Sequence, residues 1–309
     1  MHYFRLPRTQ IVASNIVLGM MRIRDLEDAA IRLLVGSARD AGVTMFDHAD
    51  IYGGERHLCE RRFGDAGAVP PAERDRVTLQ SKVGIRPGRY DFSADHIRTT
   101  VDETLEALRT DYLDLLLLHR PDTLVEPDEV AAAFDALAAG GKVRQFGVSN
   151  HTPGQIELLR LSVTQPLVVN QVQLSIVHAP LIATGIAANM ATVAQSIDRD
   201  NGLLDYSRTH GMTLQAWSPF QRPAVDGSFI GDREQFGALN DVLERLAERY
   251  GVSVEAIAVA WITRHPAQMQ VVLGTTSAEH LRSSAAGSDL DLTREEWYEL
   301  FRAGGHIVP

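Results

Sequence analysis

Asp47 and Tyr52 stand five residues apart in FDHADIYGGE, just past an apolar run, and two more groups that handle protons, Lys82 and His119, end later runs of the same kind. Taken singly, each has a commoner structural use. An aspartate in such a place caps a loop or helix, and a lysine is normally solvated. A histidine before Arg120-Pro121 can close a strand by a hydrogen bond, and a tyrosine before two glycines can pack beside a turn. Together the four answer a specific need. Reducing a carbonyl takes hydride at carbon and a proton at oxygen, and a free tyrosine, with a pKa of about 10, is a weak acid for that task. A lysine about 4 Å from the phenol contributes on the order of 4 kcal/mol at an effective dielectric of about 20, which lowers the phenol by up to about 3 units before burial subtracts from it. On this reading Asp47 keeps Lys82 protonated and in place, while His119 orients the carbonyl oxygen or helps relay the proton.

Such a set works only if the fold gathers it. The chain alternates short β-branched or leucine-rich runs with amphipathic segments: NIVLGM, VTMFD, RVTLQSK, LDLLLLH, VRQFGVSN, LVVNQVQ, MTLQAWS and MQVVLGTT, each followed by helical material. Eight such units match the (β/α)8 TIM barrel, here as one domain over residues 1–309. A doubly wound sheet usually shows G-x-G-x-x-G after its first strand, and Leu18-Gly19-Met20-Met21 has no such series. In a barrel, chemistry sits at the C-terminal strand ends. Here those ends carry Asp47, Lys82, His119, Ser149-Asn150, Gln171 and Trp217-Ser218, which converge if the barrel closes. The first helix, within DLEDAAIRLLVGSARDAG, is expected to present Ala30, Leu33, Leu34 and Ala38 on one face. GERHLCERRFG is expected to be the second helix, Ser93 to cap the third, and SAEHLRSSAAG to be the last. LPRTQIVASN, expected in an N-terminal β-hairpin, and two long segments, SIVHAPLIATGIAANMATVAQSIDRD and QRPAVDGSFIGDRE, fall outside the alternation; the latter two are expected to cover the barrel mouth.

Composition excludes several classes. No apolar run approaches the roughly 18 residues of a membrane span; YLDLLLL is short and broken by Asp114. MHYFRLPRTQ has no apolar signal core, so a cytoplasmic protein is expected. A formal net charge of -10 argues against nucleic-acid binding and favours a small-molecule ligand. The lone Cys59 cannot form an internal disulfide. His48, Asp50 and His57 have ligand chemistry, but no second cluster at the strand ends supports a metal site.

FDHADIYGGE, LQSKVG, DYLDLLLLHRPD, GKVRQFGVSN, VVNQVQ, AWSPF and VLGTTSAEHL, in that order, resemble the aldo-keto reductase superfamily over nearly the whole chain. The resemblance implies a tetrad of Asp47, Tyr52, Lys82 and His119, with Tyr52 as the general acid/base, and a small-molecule carbonyl substrate. It implies NADP(H), or less often NAD(H), bound across the barrel mouth. Ser149, Asn150 and Gln171 would hydrogen-bond the nicotinamide carboxamide, and Trp217 would stack on the ring. Ser218, Pro219 and Phe220 would follow the pyrophosphate, while Gly19 and Met20 would line the floor near the nicotinamide ribose. Gly274, Thr275, Thr276 and His280 would meet the adenosine 2'-phosphate or adenine. Many NADPH-dependent members have lysine and arginine where this chain has Gly274 and His280, and asparagine where it has Ser284; the helix N-terminus with Thr275, Thr276 and Ser277 can still bind a phosphate. The same fold also serves as a cofactor-binding partner subunit, like the β subunits of potassium channels, which is the alternative reading. Substrate selection is expected from Ile176, His178, Phe229 and Ile230, together with Met21, His48 and Arg120.

Overall fold

The computed structural model describes residues 1–190, 193–222 and 227–309. Residues 191–192 and 223–226, parts of the two long segments expected to cover the mouth, lie outside the described residues. Eight parallel strands close into a barrel: β1 (Ile16–Gly19), β2 (Met45–Asp47), β3 (Thr78–Val83), β4 (Leu113–Leu118), β5 (Val143–Ser149), β6 (Leu167–Gln173), β7 (Thr213–Trp217) and β8 (Gln270–Leu273), with β8 pairing back onto β1. The fold is the expected (β/α)8 TIM barrel. Its strands are nearly continuous apolar runs because both faces are buried, one toward the barrel axis and one under helices. The register places Gly19, the end of β1, beside Asp47, the end of β2, and Asp47 beside Gln80, so that β3 runs on past them and carries Lys82 to the mouth.

The bottom of the barrel is closed by an antiparallel N-terminal hairpin, Tyr3–Arg5 with Val12–Ser14. Its Phe4, Leu6 and Ala13 pack with Val17, Met45, Leu115, Leu117, Val169 and Val272 in a core inside the strands. A second, larger core lies between strands and helices. The ring of helices comprises α1 (Asp28–Asp40), α2 (Leu58–Asp65), α3 (Ala94–Leu108), α4 (Pro127–Ala139), α5 (Pro153–Leu159), α6 (Pro180–Ile186), α7 (Leu203–Thr209), α8 (Arg233–Tyr250), α9 (Val254–Thr263), α10 (Ala278–Ala285) and α11 (Arg294–Ala303). Proline opens α4, α5 and α6, where its missing N–H costs no helical bond. Reciprocal capping boxes, Thr152 with Gln155 and Thr293 with Glu296, start α5 and α11.

Several local expectations shift. The buried face of α1 is Ile31, Leu34, Val35 and Ala38, and Leu33 is 65% exposed. Helix α2 starts only at Leu58, because His57 is held at φ 60°. Ser93 occupies the N-cap of α3, but its hydroxyl donates to Asp91 Oδ1 at 2.7 Å and caps nothing. SAEHLRSSAAG is not the last helix. Helix α11 follows it, locked to α9 by Trp261 and Trp297, whose rings stack at 5.0 Å while each indole N–H donates to the other's backbone carbonyl. A small hairpin, Ile85–Arg86 with Arg89–Tyr90, follows β3. Asp114, the break in the leucine run, is buried where Arg74 and Arg144 pair with its two oxygens.

Helix α2 crosses α3 so closely that a Cβ on Gly64 would lie 2.2 Å from the Ala107 carbonyl oxygen. Gly64→Ala should therefore destabilise the protein by about 1–3 kcal/mol, as overpacking of a fixed backbone does. Urea unfolding should show a lower midpoint with an unchanged slope.

Candidate active site

Asp47 ends β2 and Lys82 lies near the end of β3, and each is only 1% exposed. Adjacent parallel strands bring them together, with Lys82 Nζ 2.7 Å from Asp47 Oδ2. The ammonium also donates to the His48 carbonyl at 2.9 Å and to Tyr52 Oη at 2.8 Å. Its three hydrogens are thus engaged. Burial alone would lower the Lys82 pKa, but Asp47 and Tyr52 outweigh it and raise it above its ordinary value. Since Tyr52 accepts from Lys82, its own phenolic hydrogen is free to point elsewhere. The phenol departs from the sequence expectation in one respect. Its pKa is raised, because burial is the largest influence and Asp47 opposes part of the downward pull of Lys82. The group is a neutral acid at ordinary pH.

His119 follows β4 and meets the Tyr52 ring edge-on, with centroids 6.0 Å apart. Burial, then Lys82 and Arg120, hold its pKa well below the ordinary value, so the imidazole is neutral. Its Nδ1 is buried without a partner.

Behind Asp47 runs a chain of buried amides that the sequence did not reveal. Gln80 Nε2 donates to Asp47 Oδ1, and Gln171 Nε2 donates to the same oxygen at 3.1 Å. Both also donate to Gln215 Oε1 at 3.0 Å. Gln215 in turn donates to Gln270, and Gln270 to the Ser14 carbonyl at the hairpin. Beside Gln171, the signal available was an unexplained glutamine in each of three apolar strands, Gln80, Gln215 and Gln270.

The Tyr52 loop rests on a second polar cluster. His57 N donates to the Asp50 carbonyl and Cys59 N to the Tyr52 carbonyl, closing the loop. The His57 ring lies 2.5 Å from Glu60 and 3.2 Å from Glu103, and the fully buried Glu60 also accepts from Ser81 and Thr104. His57 is raised by these carboxylates against the opposing effect of burial. Asp50 is 1% exposed, and neither carboxyl oxygen has a hydrogen-bond partner. Burial, then Glu60, pushes its pKa up to about 7. His48 packs against the Phe63 edge at 4.7 Å, and burial with Lys82 drives its pKa down to about 3. Among the described residues no group of three metal-ligating side chains forms a candidate metal site.

A cavity of about 1020 Å³ opens over the tetrad. That is at the top of the roughly 300–1,000 Å³ range of small-molecule pockets. It is lined by Asp47, Tyr52, His119, Gly19, Ser149, Asn150, Gln171, Trp217, Ser218, Pro219, Phe220, Gly274, Thr275, Thr276 and His280. Met20 is not among them. Its side chain is fully buried while its N–H donates to the Asp47 carbonyl, and Met21 with Arg22 takes the lining position. Ser149 and Asn150 line the cavity, and their polar groups also have protein partners. The Ser149 hydroxyl donates to the Gln171 carbonyl, while Asn150, at φ 61°, donates to Ser149 and accepts from Trp217 Nε1 at 3.0 Å. They fix Trp217. Gln171 makes both its side-chain bonds through Nε2, which leaves Oε1 to accept from a ligand. Of the expected substrate-selecting residues, Met21, Arg120 and Ile230 line the cavity. Ile176, His48 and Phe229 are fully buried, and His178 is off the lining. Ile51, Ile85, Arg22 and Glu255 line it without having been expected to, and Ser284 lines it at the adenosine end. Among the described residues no helix is long and apolar enough to cross a membrane.

The family model described as "Aldo/keto reductase family" matches residues 15–303. The chain is 36% identical over 308 residues to the oxidoreductase YdhF of Escherichia coli (strain K12), covering 96% of this chain and 95% of that one. It is 35% identical over 301 residues to the 6-dehydroglucose reductase of Agrobacterium fabrum, covering 93% of each. The crystal structure of the thermostable aldo-keto reductase Tm1743 in complex with the inhibitor epalrestat superposes with a TM-score of 0.78 at 26% identity, over 98% of this chain and all of the other.

Asp50 gives this site a pH signature. Its folded pKa of about 7 lies above the ordinary 3.8, so folding favours the protonated form, and the stability linked to it is lost as pH rises from about 4 through 7. Asp50→Asn should gain on the parent protein across that window by on the order of 3 kcal/mol. Urea unfolding at pH 4.5 and pH 8 checks this. A variant equally weakened at both pH values would mean that the carboxylate is charged and partnered.

Proposed function

The chain belongs to the aldo/keto reductase family, and on that premise we propose that it is an NADPH-dependent oxidoreductase that reduces an aldehyde or ketone to the alcohol, with Tyr52 supplying the proton. One observation carries the reading: Lys82 donates its three hydrogens to Asp47, to the His48 carbonyl and to Tyr52 Oη. The phenolic hydrogen is thereby left for a carbonyl oxygen in the cavity.

The donor set along the cavity fits a nicotinamide dinucleotide. Gln171 Oε1 accepts from the carboxamide, Trp217 offers a ring face held by Asn150, and Gly19 leaves room at the floor. Ser218, Pro219 and Phe220 border the pyrophosphate, and Gly274, Thr275, Thr276 and His280 border the adenosine end. The 2'-phosphate of NADPH meets threonine hydroxyls and the N-terminus of α10, with Arg22, whose Nη1 donates to the Gly274 carbonyl, as the arginine at that end, and NADH is the second choice. When bound, the reduced nicotinamide supplies hydride to the carbonyl carbon.

The protein's part is the proton. A neutral His119 donates a hydrogen bond that orients the carbonyl oxygen against Tyr52. As the oxygen gains negative charge, Tyr52 releases its proton to it. The resulting tyrosinate is stabilised by the Lys82 hydrogen bond already in place, so no group has to reorient. Asp47 keeps the ammonium charged throughout.

Tyr52→Phe removes the acid and keeps the ring. Turnover of aldehydes with NADPH should fall by at least about 100-fold, while NADPH affinity stays in place and the thermal midpoint drops by a few degrees, because one hydrogen of the buried Lys82 loses its acceptor. Turnover retained within a few-fold would remove Tyr52 from the proton-donating role.

A further inference from the structure

Arg120 lines the cavity immediately after His119 and is half-buried. Among the described residues it has no ion pair and no hydrogen bond; its contact is with the Trp217 ring, whose centroid lies 5.9 Å from the guanidinium carbon. The neighbouring carboxylate does not serve it. Asp122 instead accepts from the backbone N–H groups of Phe92 and Leu124. Five donors in a fixed fork, facing a cavity without a counter-ion, match an oxyanion.

The topology says which part of a ligand would meet it. Arg120 follows β4, four places around the eight-strand ring from β8, whose loop carries Gly274, Thr275 and Thr276. It therefore stands across the barrel from the adenosine end and beside Tyr52, Ile51 and Ile85, which line the cavity from the loops after β2 and β3. The other charges near the reacting end cancel, since Asp47 is paired with Lys82. Arg120 is the cavity-lining cation that directly follows the tetrad residue His119, whereas Arg22, the other arginine of the lining, donates to the Gly274 carbonyl at the adenosine end.

We propose that Arg120 is a substrate-recognition residue, and that the carbonyl compounds handled by this site carry an oxyanion, a carboxylate or a phosphate, a few atoms beyond the carbonyl. The inference rests on the carbonyl-reductase reading and narrows its substrate class. Ile51 and Ile85 form the apolar wall beside the intervening carbon chain, and the guanidinium fixes its far end. The protein thereby rejects neutral analogues by leaving Arg120 without its partner in a partly desolvated wall.

Succinic semialdehyde and its methyl ester share the aldehyde and the carbon chain, and the ester replaces the carboxylate charge with a neutral group. With NADPH, kcat/KM for the acid should exceed that for the ester by roughly 10- to 100-fold, mainly through KM, and the ratio should shrink with added salt. Arg120→Met should bring the ratio close to one, and Arg120→Lys should keep part of it. A ratio near one in the unaltered protein, or a ratio that survives Arg120→Met, would overturn the proposal while leaving carbonyl reduction intact. If neither aldehyde is reduced, the functional reading itself fails, and Arg120 is then judged by calorimetric titration with succinate against its dimethyl ester. A preference for the dianion that is lost in Arg120→Met supports an oxyanion site, and equal weak binding of both removes it.

Discussion

The buried pair of Asp47 and Lys82 is the constraint around which the barrel is arranged. Two full charges at 1% exposure are costly to desolvate, and they persist only where geometry and further hydrogen bonds satisfy the remaining polar atoms. Every hydrogen of the ammonium has an acceptor, and the carboxylate receives Gln80 and Gln171 in addition to Lys82. The amide chain through Gln215 and Gln270 ties that carboxylate to Ser14 at the opposite end of the barrel. Closure of the sheet, the hairpin beneath it and the charge pair at its mouth are therefore one connected arrangement. A slip of β2 against β3 would part Asp47 from Lys82 and turn inward-facing residues outward.

Around the pair, burial sorts the titratable groups by what they are needed to be. Lys82 stays charged because two partners outweigh desolvation, whereas His119 and His48 have no such compensation and stay neutral. Tyr52 keeps its proton for the same reason of burial, and the neighbouring ammonium acts on the tyrosinate rather than on the resting phenol. The His57, Glu60 and Glu103 cluster holds the loop that carries Tyr52, with Asp50 as its strained member.

Much of this was legible in the sequence, because a parallel barrel converts strand ends into neighbours. Asp47, Lys82 and His119 each end an apolar run, and periodicity alone is enough to bring them to one mouth. What could not be read depended on contacts distant along the chain. Gln80, Gln215 and Gln270 are isolated glutamines until the barrel closes on them. Met20 and Met21 differ by one position, and that step decides between core and cavity. The net shift of the Tyr52 phenol turns on how deeply the loop sinks, which spacing does not encode. Helix α11 was missed because its docking rests on the Trp261–Trp297 stack, and the Ile85–Tyr90 hairpin is too short for periodicity. Ser149 and Asn150 fall at the expected strand end, yet their polar groups serve Trp217 and its neighbours.

The proposed activity requires hydride to reach a carbonyl carbon inside the cavity bordered by Tyr52, His119 and Trp217. The most direct measurement is a single turnover with NADPH deuterated at nicotinamide C4 and an aldehyde substrate, with mass analysis of the alcohol. One deuterium on the carbinol carbon, formed at a rate slowed by the label, is the predicted result. NADPH bound at stoichiometry with no label in any alcohol product would contradict it, and would leave the tetrad as part of a nucleotide-binding partner rather than of an enzyme.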